Sequence, residues 1–259
     1  MGNLSNKLSV NTKNRSQAPE VMDDFSMEGE ILRDALDKIA GINRLLGGNS
    51  VTINGLEILL STLGEEASSR TIRILDVGCG NGDMLRVLAA YGLKKGIVFE
   101  LTGIDANAFT AGYADQLSAR YPNIKLLCGD IFEEIKQAQT YDVILCTLTL
   151  HHFKDLEIVE LMAAFENRAT LGVVVNDLQR SALAYRLFQL ICLVFGLNSM
   201  SRDDGLVSIL RGFKKEDLEK YTAQLKVNKY LIRWKWAFRY QWIIFSNNRQ
   251  KNNEQIKTL

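Results

Sequence analysis

The sequence is poor in histidine and proline, and its cysteines do not form a metal-binding pattern. Only two of its 259 residues are histidines and two are prolines, and the four cysteines include no C-x-x-C pair. We therefore expect neither a zinc site nor any other resident metal. Four cysteines in a chain this long also make no disulfide scaffold, so reduced thiols and a cytoplasmic location are expected.

The sequence also lacks a charge excess and a long apolar run. Its 31 basic and 30 acidic residues give a net charge of +1, which gives no reason to expect nucleic acid as a partner. The most apolar segment, residues 182–197, contains Arg186 and Gln189 and is too short to cross a bilayer. We interpret it as a core or lid helix; the alternative is a helix lying in a membrane interface. No apolar signal core is present near the N-terminus, so no secretion is expected.

Composition and periodicity divide the chain into four parts. Residues 1–20 are polar and aperiodic and are predicted to form a disordered arm. Residues 21–66 show helical periodicity and form a cap, residues 67–247 form the main domain, and residues 248–259 form a flexible tail.

Strand and helix patterns alternate five times from Arg73 onward, which predicts an α/β domain with a doubly wound parallel sheet. A helical insertion of about residues 178–212 follows the fifth strand. The late runs "KYLIRWKWAF" and "YQWIIF" lie close enough to pair antiparallel. Across the stretch "YLIRWKWAFRYQW", strand alternation predicts aromatic rings facing inward and cations facing outward.

The segment "ILDVGCGNGDM" joins a buried strand to a helix through three glycines, Gly78, Gly80 and Gly82. Glycine allows a sharp turn and lets the backbone approach a ligand closely. The following helix directs free N–H groups to the same place. This arrangement predicts a pocket for a nucleotide-like group.

Two further acids follow the next two strands, Asp105 and Asp130. An acid at the first position accepts hydrogen bonds from ribose hydroxyls. A dinucleotide fingerprint requires its third glycine at position 83, where this chain has Asp83, and Asp76 adds another carboxylate beside the loop. Acids repel a pyrophosphate but attract an amino group and a sulfonium, so the spacing favours S-adenosylmethionine over a nicotinamide cofactor.

These motifs resemble those of class I S-adenosylmethionine-dependent methyltransferases. "ILDVGCGNG" resembles their first motif, and "YDVILCTLTLHHF" resembles the fourth strand and active-site loop of small-molecule members related to ubiquinone and menaquinone biosynthesis. Outside residues 70–177, "VVNDLQRSALAYRLF" and "DDGLVSILRGF" resemble bacterial members associated with phenolic or polyketide-type metabolites.

The resemblance implies a seven-stranded Rossmann-like sheet with an antiparallel last strand, covered by the N-terminal helices. It implies a cofactor site that includes Arg44, or Asn43 beside it, for the carboxylate. The cofactor residues it implies are Asp76, Gly78, Cys79, Gly80, Asp105, Ala106, Asp130, Ile131, Cys146 and Arg44. The substrate residues suggested by the same segments are Thr147, Arg180, Ser208 and Arg211, with Asp204 near them.

The histidines are neighbours, His151 and His152, in the predicted active-site loop. One of them is the candidate general base; the alternative is a role in packing. In an extended segment adjacent side chains point in opposite directions, so at most one ring should face the pocket, with His151 favoured. The gap between a phenol near pKa 10 and an ordinary histidine near 6.5 is about 5 kcal/mol, whereas an aliphatic alcohol would leave over about 12 kcal/mol. A histidine base therefore suits phenols and enols.

The sequence-based hypothesis is an enzyme that methylates a phenolic or enolic hydroxyl of a small molecule. The alternatives are C- or carboxyl-methylation of a similar molecule, a nicotinamide-dependent oxidoreductase, and a cofactor-binding protein without catalysis. Amino-methylation of nucleic acid is disfavoured because "CTLT" stands where those enzymes carry a Pro-Pro-aromatic signature. The sequence leaves the oligomeric state open.

Overall fold

A computed structural model describes residues 10–247, in which strands and helices alternate as predicted. The strands are β1 Ile72–Val77, β2 Phe99–Asp105, β3 Ile124–Cys128, β4 Tyr141–Thr147, β5 Ala169–Leu178, β6 Tyr230–Lys235 and β7 Arg239–Phe245. The helices are α1 Glu30–Leu45, α2 Gly48–Leu60, α3 Glu66–Ser69, α4 Asp83–Lys95, α5 Ala108–Ser118, α6 Ile131–Glu134, α7 Asp155–Arg168, α8 Ala182–Phe195, α9 Ser199–Arg211 and α10 Lys215–Leu225. Short 3-10 turns lie at Val21–Asp23 and Leu150–His152.

The seven strands form one sheet in the order β3-β2-β1-β4-β5-β7-β6. Strands β1 to β5 are parallel, and β7 runs antiparallel between β5 and β6. This confirms the predicted doubly wound, Rossmann-like sheet with an antiparallel last strand. The carboxyl ends of β1, β2 and β4 meet at one edge, and the loops after them build the site.

The central strands are apolar on both faces because helices cover both sides of the sheet. On one face, Leu56 and Leu59 of α2 join Leu85 and Leu88 of α4 in a buried layer. On the other face, residues of α7 pack with β-strand residues that include Trp242, which is fully buried. The helix α2, predicted as part of a cap, therefore packs on the sheet itself.

The N-terminal segment has defined contacts where the sequence predicts a disordered arm. Within the described part of that arm, residues 10–20, the Arg15 guanidinium donates to the carbonyls of His151, Phe153 and Arg211. The Ser16 amide donates to the Leu210 carbonyl. The prediction misses this order because the partners are distant in sequence and leave no local periodicity. Residues 1–9 and the predicted tail at 248–259 lie outside the described residues.

The alternation predicted for the late strands is wrong in its orientation. Trp234 and Trp236 are half or more exposed, whereas Arg239 at the start of β7 is buried. The reason is position in the sheet: β6 is the edge strand, while β7 is paired on both sides and has both faces covered. A strand in that position has no solvent side on which to place a cation.

A close contact between α2 and β5 gives a test of this packing. A Cβ added at Gly55 would lie 2.4 Å from Val174 Cγ1, whereas Gly41 in α1 has open space around it. We expect Gly55→Ala to lower the free energy of unfolding by about 1–3 kcal/mol. Gly41→Ala, the matched control, should raise it by about 0.5–1 kcal/mol. Urea denaturation measures both.

The double variant Gly55→Ala/Val174→Ala identifies the contact responsible. Shortening Val174 removes the clashing methyl groups, so the second substitution should cost less in the Gly55→Ala background than in the wild type. Strictly additive effects would show that the two residues do not interact.

Candidate active site

The glycine loop after β1 has the backbone conformation that its residues predict. Gly78, Gly80 and Gly82 have φ angles of 64°, 53° and 75°, in the left-handed region. A Cβ at Gly78 would lie 2.3 Å from Thr149 Cγ2, and the Thr149 hydroxyl donates to the Gly78 carbonyl over 3.2 Å. The loop is therefore held against the segment that follows β4, and a side chain at Gly78 would fill the space between them.

Asp105 at the end of β2 holds the same loop from the other side. Its Oδ2 accepts a hydrogen bond from the Gly80 amide over 3.0 Å, and its Oδ1 accepts one from the Asn107 amide over 3.1 Å. Burial raises the pKa of Asp105, and the two backbone hydrogen bonds act in the opposite direction. The side chain of Asn107 donates to the carbonyls of Phe25 and Met27, which attaches the N-terminal segment to this edge of the sheet.

Asp76, near the end of β1, is a buried carboxylate with an unused oxygen. Its Oδ1 has no hydrogen-bond partner, although the residue lines the cavity beside the loop. Burial, together with the nearby Asp105 carboxylate, raises the pKa of Asp76 to about 7. An unpartnered buried acid requires a donor or a cation, so this position fits an amino group of a ligand.

The structure places Arg44 and Asn43 differently from each other. Arg44 pairs with Asp83 over 2.5 Å, its side chain is 65% exposed, and it is not among the residues that line the cavity. Asn43 is buried, lines the cavity, and donates to Asn49. Of the two residues predicted to reach a cofactor carboxylate, Asn43 is the one within reach of the cavity.

Some of the remaining predicted cofactor residues line the cavity, and others lie outside it. Asp130 caps α6 by accepting from the Phe132 amide, and Cys146 is buried among core residues. Burial raises the pKa of the Cys79 and Cys146 thiols well above the ordinary value, so neither is an activated nucleophile. Those that line the cavity are Asp76, Gly78, Cys79, Gly80, Asp105, Ala106 and Ile131.

Both histidines line the cavity, which differs from the expectation that only one would face it. The segment Leu150–His152 is a 3-10 turn and not an extended strand, so the two rings lie on the same side, 4.3 Å apart between centroids. His151 Nδ1 lies 2.7 Å from Asp177 Oδ1, and His152 Nδ1 lies 2.6 Å from Asp23 Oδ1. Each ring is thus oriented by a carboxylate.

The hydrogen bonds of His151 assign its tautomer. An ionised carboxylate only accepts, so His151 carries its proton on Nδ1 and leaves Nε2 as an acceptor. Burial acts to raise the pKa of Asp177, but its interactions with His151 and two backbone amides lower it. His151 Nε2 is buried and has no hydrogen-bond partner. This is the arrangement of a base oriented by an acid.

Glu20 lies opposite His151 and was not identified from the sequence. Its Oε1 is 3.7 Å from His151 Nε2 and has no hydrogen-bond partner, and its Oε2 accepts from the Ser208 hydroxyl over 2.7 Å. Burial is the main cause that raises the pKa of Glu20. Glu20, His151 and His152 offer ligand atoms within 4.8 Å of one another. The trio therefore has the spacing of a metal site where the sequence predicted none.

The predicted substrate residues separate in the same way. Thr147 and Ser208 line the cavity, as does Asp204, which accepts from the amides of Val21 and Met22. Arg211 lies behind the histidine turn and donates to the carbonyls of His151 and His152 and to Asp23. Arg180 donates to Gly212 and pairs with Asp217. Neither arginine is among the lining residues, so both support the walls.

Asp177 and Arg239 are two further residues that the sequence analysis missed. Asp177 ends the apolar run "GVVV", which is the same signal that identified Asp76 and Asp105, so it could have been found. Arg239 lines the cavity and is 3% exposed. Its burial depends on the pairing of β7 between two strands, and no local pattern reveals that.

A cavity of about 850 Å³ is lined by the glycine loop, Asp105, Glu20 and both histidines, and its size is typical of small-molecule sites. The glycine loop and Asp105 form one end, and Glu20 with the histidines forms another wall. Helices α1 and α8 add an apolar wall that includes Leu36, Ile39, Leu187, Phe188 and Ile191. Within residues 10–247, no helix is long and apolar enough to span a membrane.

Comparisons with known proteins agree with this geometry. Residues 74–170 match the family model of the methyltransferase domain. A ubiquinone biosynthesis O-methyltransferase of Rickettsia akari (strain Hartford) is 28% identical over 117 residues, which are 45% of this chain and 44% of that protein. The match thus spans less than half the length of this curated relative.

Solved structures share the fold at low sequence identity. The plantazolicin methyltransferase BamL, in complex with a triazolic desmethylPZN analog and S-adenosylhomocysteine (SAH), superposes with a TM-score of 0.62 at 14% identity, over 83% of this chain and 91% of its own. Magnesium protoporphyrin IX methyltransferase from Synechocystis PCC 6803 with bound SAH gives 0.50 at 15% identity, over 80% and 87%. Residues 74–170 thus match a methyltransferase domain, and the chain shares its fold with methyltransferases whose structures contain SAH.

Proposed function

We propose that this protein transfers a methyl group from S-adenosylmethionine to a phenolic or enolic hydroxyl of a small molecule. The main support for this proposal is that one cavity is lined by both the glycine loop with Asp76 and Asp105 and by His151. The His151 ring is oriented by Asp177, and its Nε2 has no hydrogen-bond partner. A base in this position is required for a hydroxyl acceptor and not for a carboxylate acceptor.

The cofactor fits the residues at the loop end of the cavity. Asp76 would present an unpartnered oxygen to an amino group, Asp105 would present a carboxylate to the ribose, and the backbone of Gly78 and Gly80 lines the cavity between them. When bound, the cofactor supplies an electrophilic methyl group whose positive charge disperses as the methyl moves. The protein residues align the acceptor and exclude water.

His151 then acts on the acceptor hydroxyl. Asp177 keeps the Nδ1 proton in place and stabilises the positive charge that the ring gains, while Nε2 takes the proton. The product phenol ether has no proton to return, so the ring must release its proton before the next cycle. Glu20, 3.7 Å from Nε2, is the nearest group that can take part in that exchange.

The apolar walls indicate the rest of the acceptor. Helix α8 contributes Leu187, Leu190 and Ile191 to the cavity, and Leu183 and Leu193 of the same helix are exposed outside it. An acceptor with an aromatic ring and an apolar substituent would place the ring beside the histidines and the substituent between α1 and α8. The related ubiquinone O-methyltransferase, which by its name methylates oxygen, supports the choice of a hydroxyl over carbon.

Replacement of His151 tests the base. We expect His151→Gln to reduce kcat by about 10²- to 10⁴-fold, because the base acts on the proton that is transferred in the transition state. The affinity for SAH should change less than threefold, because the base does not contact the cofactor. His152→Gln, the parallel variant at the neighbouring ring, should reduce kcat less than tenfold. Transfer of labelled methyl into a panel of alkylphenols and cyclic 1,3-dicarbonyl enols measures both.

Two outcomes would contradict this role. Full activity of His151→Gln across pH 6 to 9 would remove the base. Loss of wild-type activity on treatment with a chelator, restored by Zn²⁺ or Mg²⁺, would show instead that Glu20 and the histidines hold a metal.

The pKa of Asp76 gives a separate test of the cofactor site. A cationic amino group favours the ionised carboxylate, so binding of SAH should release a proton below pH 7, and the affinity should rise by up to about tenfold from pH 6 to 7 and level off by pH 8. Calorimetry at pH 6.5 in buffers of different ionisation enthalpy measures the proton count.

The matched variants are Asp76→Asn, which should abolish the proton release, and Asp115→Asn on the exposed face of α5, which should retain it. Proton uptake on binding, or equal release in Asp76→Asn, would show that the ligand's amino group binds elsewhere.

A further inference from the structure

Arg239 is a buried guanidinium whose donors are unused. The side chain is 3% exposed and lines the cavity, and its Nε and Nη1 have no hydrogen-bond partner. A buried charge in this state is costly unless something pairs with it. Burial lowers the pKa of Arg239 to about 10, against the effect of Asp177, so the group stays positive at neutral pH.

Asp177 acts on Arg239 by its charge, but both of its oxygens accept hydrogen bonds from other groups. Asp177 Oδ1 accepts from His151 Nδ1 and from the Leu178 amide, and Oδ2 accepts from the His151 amide. The interaction between Asp177 and Arg239 is therefore one of charge without a hydrogen bond.

The other buried arginines show what a structural role looks like in this chain. Arg180 donates to the Gly212 carbonyl and pairs with Asp217, and Arg211 donates to two carbonyls and to Asp23. Both lie outside the cavity wall. Arg239 differs in both respects, since it faces the cavity and lacks such partners.

The backbone at Gly48 packs closely against Arg239 and Asn43. A Cβ added at Gly48 would lie 3.0 Å from Arg239 Cζ and 1.9 Å from Asn43 Oδ1. Asn43 also lines the cavity, and its side-chain oxygen has no hydrogen-bond partner. The end of α1 and the start of β7 thus bring two side chains with unsatisfied polar atoms, Asn43 and Arg239, to one wall of the cavity.

We propose that Arg239 is the binding site for a carboxylate in this cavity. The fork of a guanidinium matches a carboxylate with two parallel hydrogen bonds. The inference rests on the proposed methyltransferase function, which brings two sources of carboxylate: the amino-acid end of the cofactor and an acid group on the acceptor. The experiment below separates them.

The first arm uses the cofactor alone. SAH carries the carboxylate and 5′-methylthioadenosine lacks it. If Arg239 binds the cofactor, Arg239→Gln should weaken SAH about 10- to 100-fold and leave methylthioadenosine within threefold. Arg233→Gln, which removes an exposed arginine from the neighbouring strand, is the matched control and should change neither affinity.

The second arm uses acceptor-like probes with SAH present. If Arg239 binds the acceptor, a 4-alkylbenzoate should bind at least tenfold more tightly than the corresponding 4-alkylbenzamide, and Arg239→Gln should abolish the difference while SAH affinity is retained. Equal loss of affinity for carboxylate and non-carboxylate ligands in Arg239→Gln would overturn the inference, because it would indicate a structural role.

The wild-type protein provides a measurement that does not depend on the variant's folding. If Arg239 binds a carboxylate, SAH should raise the melting temperature more than methylthioadenosine does, or the benzoate should raise it more than the benzamide does. Each pair is compared at ligand concentrations that fill the rest of the cavity equally. No difference in either pair overturns the carboxylate site while leaving the methyltransferase proposal standing. Failure of the wild type to bind SAH at all would instead overturn the proposed function.

Discussion

The hydrogen bond between His151 and Asp177 is the contact on which the arrangement of the site depends. Asp177 is buried at the end of β5 and accepts from the ring and from the backbone amide of the same histidine. This double attachment fixes the 3-10 turn after β4, and therefore the position of His152 and of the carbonyls to which Arg15 and Arg211 donate. One acid thus connects the sheet, the active-site turn and the N-terminal segment.

The N-terminal segment closes the site through this turn. Arg15 binds the carbonyls on either side of His152, Asp23 binds the His152 ring, and Glu20 faces His151. Arg211 neutralises part of the acidic charge by pairing with Asp23 over 2.6 Å. The wall that covers the histidines therefore comes from a polar stretch preceding the first helix. Its removal would expose His151 to water and take away Glu20, which faces the ring.

The features that local sequence patterns determine could be predicted from the sequence. The strand, glycine loop and helix around Gly78 and Gly80 follow from sequence, as do the acids Asp76 and Asp105, because each feature is set by its neighbours in the chain. The two histidines were correctly assigned to the loop after β4. The turn that brings both rings to one side was not, since a 3-10 turn of three residues has no period to detect.

The residues that were missed depend on contacts between distant segments. Glu20 lies in the segment predicted to be disordered and Asp23 in the predicted helical cap, and both are held by residues nearly 200 positions away, Ser208 and Arg211. Arg239 is buried because β7 is inserted between two strands, and sheet order is not a local property of the sequence. Arg44, predicted to reach the cofactor, instead pairs with Asp83, a choice that depends on how α1 packs on the loop.

The tautomer of His151 decides whether its Nε2 can accept a proton. It can be measured directly because the chain has only two histidines, so few ring signals have to be assigned. Nitrogen-15 NMR of the SAH complex at pH 8, with His152→Gln used to assign the signals, reports which ring nitrogen carries the proton. We predict that His151 is protonated at Nδ1 and free at Nε2, and that Asp177→Asn disturbs this preference. A proton on Nε2 of His151 in the wild-type complex would contradict it.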